Sequence, residues 1–276
     1  MPKKRKNCFE EAAKAFTERT GTANLYNFIN SEEYREATLK QKEEDQNIRA
    51  DKKEGFVALF DILGFKNILE NNDLDRVMLT YQQMGDLVEF PTVTNHESPI
   101  EPIVKTLNYS DTFLIYTTEV SDRAFRGLLH VSRLLFLAAY GHKMPIRGAT
   151  AVGELYVSDT VAIGKPIVEA YKNERGQEWI GCWITQECID RVSNDVLNEL
   201  RGGNFIVQYP IPFKDGDIKQ LYALNWIVPY LTFLFQPFNN SDGFLERKSW
   251  NGWAEERKHR NTRDFIDFIS SLALNI

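Results

Sequence analysis

The stretch from Phe56 to Phe65 constrains the fold most, because an apolar and aromatic run contains a single carboxylate followed by a glycine. Such a run is typical of a strand that is buried on both faces of a sheet. A carboxylate at the end of a buried strand is costly unless a cation or hydrogen-bond donors offset its charge. We therefore expect Asp61 to be a ligand, and Gly64 to let the backbone approach whatever Asp61 binds. The alternative is that Asp61 caps the helix predicted beyond Gly64.

A second carboxylate, Asp111, lies in a segment with the pattern of a β-hairpin. The segment Val104–Thr117 contains two β-patterned runs, and Ser110-Asp111 lies at the predicted turn between them. Taken alone, Asp111 is an ordinary turn residue. Two aspartates at the ends of adjacent strands, however, suit Mg²⁺ or Mn²⁺, which bind carboxylate oxygens together with substrate phosphates. The sequence therefore predicts that Asp61 and Asp111 share a metal site.

Composition narrows the classes of function. The chain has 276 residues, of which 43% are hydrophobic, and it can therefore form a sizeable core. Its net charge of −6 argues against a protein that wraps nucleic acid, since phosphate neutralisation needs clustered Lys and Arg. No apolar run is long enough to span a membrane, the cysteines lack metal spacing, and the basic run at residues 2–6 is typical of a solvated tail. We expect a cytoplasmic protein with neither nucleic acid nor a membrane as partner.

The order of helical and strand patterns predicts an α+β fold. Residues 1–53 are expected to form a basic tail and a helical extension, residues 54–226 the main domain, and residues 227–276 an aromatic-rich helical extension. Within the main domain the order is βαββαβ with additions, and the strands pair mostly as hairpins. We expect a ferredoxin-like core with a mostly antiparallel sheet that is covered on one face.

The boundaries of several elements are predicted by periodicity and by glycine or proline signals. Residues 65–90 and 186–200 have the pattern of single helices. Residues 179–185 have the pattern of a strand, and residues 254–274 that of a charged and then amphipathic helix.

These motifs resemble the class III nucleotidyl cyclases, whose strand–Asp–Ile–x–Gly–Phe motif and later Gly-Asp hairpin carry two metal-binding aspartates. This chain has Ser110-Asp111 at the hairpin. Residues 145–154 look like the family's Arg-x-Gly strand, and residues 164–174 like the helix that carries its Asn and Arg. The resemblance covers roughly residues 55–225, which would make the main domain a cyclase catalytic domain. Within the family the chain looks most similar to the bacterial pyrimidine cyclases of anti-phage defence, which convert UTP or CTP into a cyclic nucleotide.

The resemblance implies a two-metal site. By this resemblance Asp61 and Asp111 hold two divalent cations, Mn²⁺ or Mg²⁺, and the carbonyl of Ile62 assists one of them. It also assigns triphosphate contacts to backbone N–H groups at the glycine turn: Leu63, Gly64 and Phe65. No dedicated protein base is then required.

The resemblance assigns further roles with two departures from the family pattern. Lys172 stands where the family has the arginine that stabilises the transition-state phosphate, and a lysine supplies the charge without the bidentate fork. The alternative for Lys172 is a solvated helix lysine. Val168 stands at the position of the family's asparagine and cannot orient a ribose. Lys214 stands where the family often has a triphosphate-binding lysine, whereas Arg147 is expected to be a buried partner for a carboxylate.

The expected substrate depends on two positions whose polar side chains recognise the base in purine cyclases. Leu107 and Val161 occupy these positions, and neither side chain can form a hydrogen bond. We therefore expect a pyrimidine cyclase, with UTP preferred to CTP because uridylate cyclases are commoner among such relatives. The family builds its sites between two chains, which implies a homodimer, and a cyclic-nucleotide-activated effector would be an indirect partner. The rival interpretations are a purine cyclase and a non-catalytic nucleotide-binding scaffold.

Overall fold

The computed structural model of the protein describes residues 8–21, 25–47, 51–89, 103–158, 161–227 and 256–273. The chain divides into two compact units, residues 1–51 and residues 52–276. The basic run at residues 2–6 and most of the predicted aromatic-rich region, residues 228–255, lie outside the described residues.

The described part of the first unit is helical. Its helices are α1 (Cys8–Thr20), α2 (Leu25–Ile29) and α3 (Glu32–Asn47). Phe28 joins them, because its ring lies 5.6 Å from that of Phe16 and 5.4 Å from that of Tyr34, measured between centroids. An ion pair between Arg19 and Glu33 adds a connection between α1 and α3.

The second unit contains one mixed sheet with helices. Its strands are β1 (Asp51–Ile62), β2 (Val104–Tyr109), β3 (Thr112–Thr117), β4 (Ile146–Val157), β5 (Ala162–Gly164), β6 (Cys182–Ile184), β7 (Ile206–Pro212) and β8 (Ile218–Leu224). Its helices are α4 (Phe65–Asn71), α5 (Leu74–Glu89), α6 (Asp122–His142), α7 (Lys165–Gly176), α8 (Gln186–Ile189), α9 (Asn194–Gly202) and α10 (Glu256–Ala273).

The sheet has the order β2-β3-β1-β4-β6-β8-β7, and β5 pairs with β4 outside this path. The β4–β6 pair is parallel, whereas β1–β3, β2–β3, β4–β5, β6–β8 and β7–β8 are antiparallel. The first four strands, in the order β2-β3-β1-β4 and with helices after β1 and β3, have the ferredoxin-like arrangement. The prediction of an α+β fold with a mostly antiparallel sheet is therefore confirmed.

Alternating residues of β1 face two separate cores. Phe56, Phe60 and Ile62 belong to a large core to which α10 contributes Phe265. Residues on the other side of the sheet form a small core: Val57, Leu59, Leu114, Tyr116, Ala151, Leu155, Val157 and Ala170. This alternation follows from the period of two in a strand. The two faces of the sheet therefore differ greatly in how much apolar surface they bury.

The helix predicted over residues 65–90 is divided into α4 and α5, which corrects that expectation. Polar side chains at the junction bind the backbone and interrupt the helix. Asn72 donates from Nδ2 to the carbonyl of Ile68 at 2.8 Å. Asp73 accepts a hydrogen bond from the backbone N–H of Arg76 at 3.0 Å and so starts α5.

Two other predicted elements are also shorter than expected. The helix predicted over residues 186–200 is divided into α8 and α9, because Ser193 caps α9 by accepting a hydrogen bond from Val196 N–H. The strand predicted over residues 179–185 is reduced to β6, since Trp179 is buried before the strand against the ring of Phe265. No helix among the described residues has the length and apolarity needed to cross a membrane.

Candidate active site

The sheet brings the two aspartates of the sequence motifs together. Asp61 lies near the end of β1 and pairs in register with Thr112, the first residue of β3. Asp111 precedes Thr112 in the tight turn between β2 and β3, where Ser110 has a left-handed backbone with φ of 56°. The backbone N–H of Ile62 donates to the carbonyl of Asp111 at 2.9 Å. The two carboxyl groups consequently lie close enough to share a hydrogen bond.

Asp61 does not act as a helix cap. Helix α4 has Gly64 at its N-cap, with φ of 74°, and no side chain forms a capping hydrogen bond there. The left-handed backbone explains the glycine, since a Cβ would be strained at this angle. The alternative role proposed for Asp61 from the sequence is therefore wrong.

The site has an excess of negative charge at Asp61. Burial, the charge of Glu174 and the charge of Asp111 raise the pKa of Asp61 to about 7, and Arg147 opposes this shift only in part. A carboxylate in such surroundings is stabilised either by a proton or by a cation.

A buried ion pair lies beside the aspartates. Arg147 donates from Nε to Oε1 of Glu174 at 2.7 Å and from Nη1 to the carbonyl of Gln177 at 2.7 Å. Both charged side chains are almost completely buried. The prediction that Arg147 is a structural partner for a carboxylate is thus confirmed. The other carboxylate oxygen of Glu174, Oε2, is buried and has no hydrogen-bond partner among the described residues.

Tyr81 of α5 packs against the large core and lies near Asp111. Its ring lies 4.9 Å from that of Phe113, centroid to centroid. Burial and the charge of Asp111 raise the pKa of its phenol to about 12, which keeps it protonated near neutral pH. The hydroxyl is buried and has no hydrogen-bond partner in the described part of the chain.

The backbone groups expected to bind the triphosphate differ in availability. The N–H of Leu63 donates to the carbonyl of Pro145 at 2.9 Å, so it is already used within the sheet. No such bond from the N–H of Gly64 or Phe65 occurs among the described backbone contacts outside helices and strands. The predicted phosphate contacts are therefore reduced to two N–H groups, those of Gly64 and Phe65, and Leu63 is removed from the set.

Helix α7 has one face toward the sheet and one toward solvent. Pro166, Ala170 and Glu174 are buried at intervals of four residues, which places them on one side of the helix. Val168 and Lys172 are exposed and line an open cavity of about 1080 Å³ between β4, β5 and α7. The cavity has apolar walls and a few charged groups, a composition typical of ligand sites.

The structure does not bring every predicted residue to the aspartates. The lining of the cavity includes Lys172 but neither Asp61 nor Asp111. Leu107 lies on β2 and packs partly buried against the small core. Val161 is 44% exposed, and its backbone carbonyl accepts a hydrogen bond from Ser158 N–H just before β5.

Lys214 and Arg175 are basic residues near the buried pair of Arg147 and Glu174. The backbone N–H of Lys214 donates to the carbonyl of Gly176 at 2.9 Å, which fixes the lysine at the end of α7. Burial and the charges of Arg147 and Lys258 lower the pKa of Lys214. Arg175 donates from Nη1 to the hydroxyl of Tyr171 at 2.6 Å, and Asp61 is among the carboxylates that raise its pKa.

The donor set at the aspartates fits a hard divalent cation. Asp61 and Asp111 offer adjacent carboxylate oxygens, the ligands that Mg²⁺ and Mn²⁺ prefer. Within the described ranges, no group of three or more His, Cys, Asp or Glu side chains is arranged to hold a metal ion. A bound cation would therefore need further oxygen ligands, which water or the phosphates of a substrate can supply.

Three residues near the site were not identified from the sequence as functional: Tyr81, Glu174 and Arg175. Glu174 and Arg175 lie in a run of charged residues, which is typical of a solvated helix face. Only the packing of α7 on the sheet distinguishes the buried carboxylate from its exposed neighbour. The period of the helix could have indicated Glu174, because it lies four residues after Ala170 and eight after Pro166.

No protein-family model and no curated protein matches the chain. Among solved structures, a class III adenylyl cyclase-like ATP-binding protein from Pseudomonas aeruginosa is 15% identical with a TM-score of 0.38, over 54% of this chain and 37% of that one. This chain thus spans little more than a third of that protein. The catalytic core of a rhodopsin-guanylyl cyclase in complex with ATPαS is 15% identical with a TM-score of 0.45, over 63% of this chain and 96% of that one. A bacterial light-regulated adenylyl cyclase is 11% identical with a TM-score of 0.43, over 77% and 71%. Similarities of this size assign neither a family nor an activity.

Proposed function

We propose that the protein is a metal-dependent nucleotidyl cyclase that converts UTP into 3′,5′-cyclic UMP and pyrophosphate, with CTP as the alternative substrate. The observation that carries the proposal is the meeting of Asp61 and Asp111 at the end of β1 and the β2–β3 turn. The sequence resemblance to class III cyclases, in which two such aspartates bind metal, supplies the reaction.

In this reaction the 3′-oxygen of the ribose forms a bond to the α-phosphorus. The bond from the α-phosphorus to the bridging oxygen breaks, pyrophosphate leaves, and the hydroxyl proton passes to water. Divalent cations held by Asp61 and Asp111, with the carbonyl of Ile62, would polarise the α-phosphate and neutralise the charge that grows on pyrophosphate. The backbone N–H groups of Gly64 and Phe65 would bind phosphate oxygens.

The active site would be completed by a second copy of the chain. Lys172 lies on the exposed side of α7, at the cavity, whose lining includes neither aspartate of its own chain. Three apolar side chains beside this cavity are about half exposed or more: Tyr156 (49%), Ile163 (64%) and Val168 (53%). An exposed apolar group of this kind favours an interface. In such a homodimer, Lys172 and Lys214 would supply the positive charge for the phosphates.

The preference for a pyrimidine follows from Leu107 and Val161. Neither side chain can pair with the polar edge of a base, and leaving such an edge unpaired in a dry pocket costs about 1–3 kcal/mol. Two missing partners would favour UTP or CTP over ATP or GTP by roughly 10²-fold. The cyclic nucleotide would then activate an effector in anti-phage defence.

The test is incubation of the purified protein with each of the four nucleoside triphosphates and Mn²⁺, followed by mass spectrometry of the products. The expected result is cyclic UMP, or cyclic CMP, with little cyclic purine nucleotide. Comparable kcat/KM values for ATP and UTP would replace the proposal by a purine cyclase. Nucleotide binding without any product would favour the scaffold interpretation.

A further inference from the structure

Three charged groups lie together where β1, β4 and α7 meet. The strands β1 and β4 are neighbours in the sheet, and Leu63 N–H donates to the carbonyl of Pro145 at 2.9 Å. Three residues along β4, Gly148 lies against Phe60 so closely that a Cβ there would be 2.2 Å from the phenylalanine ring. These two contacts define a register in which Arg147 lies across from Asp61.

An arginine across from an aspartate in adjacent strands is expected to form an ion pair with it. In the described part of the chain, however, the ion pair of Arg147 is with Glu174 and not with Asp61. The guanidinium is also bound to the carbonyl of Gln177 at 2.7 Å. Arg147 is therefore turned toward the end of α7, although Asp61 lies across from it in the neighbouring strand.

The end of α7 is built to hold this arrangement. Gln177 donates from Nε2 to the carbonyls of Gly148 and Asn173, each at 2.9 Å, and accepts from the indole N–H of Trp179 at 2.7 Å. These side-chain bonds fix Gln177, and its backbone carbonyl is consequently held beside the guanidinium of Arg147. Since the pair is buried, moving the arginine away from Glu174 would expose an uncompensated charge to an apolar interior.

We propose that Glu174 is a positioning residue that holds Arg147 away from Asp61 and so leaves the charge of Asp61 available to a cation. The inference rests on the proposed function in one respect, namely that Asp61 and Asp111 bind the metal. Arg147 would otherwise neutralise Asp61 from within the protein and compete with the ion.

The experiment measures the affinity for Mn²⁺ alone, without nucleotide, from the electron paramagnetic resonance signal of free Mn²⁺. Glu174→Gln removes the charge that holds Arg147, so the arginine should turn to Asp61 and weaken Mn²⁺ binding by about tenfold or more. The double variant Glu174→Gln/Arg147→Gln lacks the competing cation and should recover most of the affinity. Glu174→Asp keeps the charge and should stay within about threefold of the unmodified protein.

Glu178→Gln is the matched control, because Glu178 is another buried carboxylate, paired with Lys258 of α10 at 3.9 Å. Its Mn²⁺ affinity should be unchanged. A merely structural role for Glu174 predicts the opposite order, in which the double variant binds Mn²⁺ no better than the single one. That result would overturn the inference and leave the metal site in place.

The remaining outcomes are also decisive. If Glu174→Gln does not fold, Arg147→Gln alone carries the test, and its Mn²⁺ affinity should equal or exceed that of the unmodified protein, whereas a loss would overturn the inference. If the unmodified protein and Asp61→Asn bind Mn²⁺ equally weakly, the proposed metal site is wrong and the role of Glu174 fails with it.

Discussion

The two faces of the sheet are made by alternate residues of the same strands, yet they bury very different amounts of side chain. Phe60 lies in the large core, where its ring packs edge-to-face on Phe136 at 5.6 Å between centroids. The next residue, Asp61, points to the other face, which buries a small core together with the pair Arg147–Glu174. The large core is apolar, whereas the small one borders buried charges.

This difference indicates where stability and function are located. The large core includes residues from α5, α6, α9 and α10, so it ties the sheet to most of the helices in the second unit. The opposite face has α7 as its helical cover among the described residues, with Ala170 as the helical member of the small core. We infer that the face with the small core, which has less apolar packing, binds charged groups and a second chain. The predictions below test that division.

The largest effect is expected at the aspartates. Asp61→Asn or Asp111→Asn removes charge from the proposed metal site with little change in volume, so cyclase turnover should fall by about 10²–10³-fold. The exposed Asp195 of α9 provides the matched control, and Asp195→Asn should keep full activity. The measurement is cyclic UMP production at saturating UTP and Mn²⁺, with thermal melting as a check on folding. More than a tenth of the activity in either site variant would exclude the two-metal assignment.

The aspartate pair is also the part of the site that the sequence predicted best. A buried strand that ends in Asp61, and a hairpin that places Asp111 at its turn, are local patterns, and the antiparallel pairing of β1 with β3 brings them together. The positions of Glu174 and Tyr81 depend instead on how α7 and α5 pack on the sheet, and no local sequence pattern specifies that packing. The break in the helix predicted over residues 65–90 was missed because Asn72 and Asp73 are tolerated in helices and interrupt them only when their side chains bind the backbone.

The second prediction compares adjacent residues on the two faces. Phe60→Ala should lower the free energy of unfolding by about 3–5 kcal/mol, because it leaves a cavity in the large core. Leu59→Ala should cost about 2 kcal/mol, the low end for such a change, because the small core is thin and can relax. Urea denaturation of both variants measures the difference. Equal losses would contradict the division between a stabilising face and a functional one.

The third prediction concerns the exposed side of α7. An Asp61→Asn chain and a Lys172→Ala chain should each be inactive, because each lacks one half of a shared site. In an equal mixture, half of the dimers contain both chains and each has one intact site, so roughly a quarter of the unmodified activity should return. Native mass spectrometry establishes that mixed dimers form. If they form and no activity returns, the site is not shared, although the aspartate pair would be unaffected.

The smallest effect expected is a dependence of stability on pH that originates at Asp61. Its pKa is raised to about 7 in the folded protein, mainly by burial and then by Glu174 and Asp111, from a usual value of 3.8. The folded state therefore holds a proton that the unfolded state has lost, and stability falls as pH rises between these two values.

Asp61→Asn imitates the protonated form and should remove this dependence. At pH 8 the variant should be more stable than the unmodified protein by about 1–2 kcal/mol, a difference of several degrees in Tm, whereas near pH 4 the two should melt together. Differential scanning calorimetry at both pH values measures the effect. Mn²⁺ at pH 8 should then reverse the order, because it stabilises the charged carboxylate of Asp61 and has no matching ligand in the variant. If Mn²⁺ raises both melting temperatures equally, the charge on this face is balanced by something other than a bound cation.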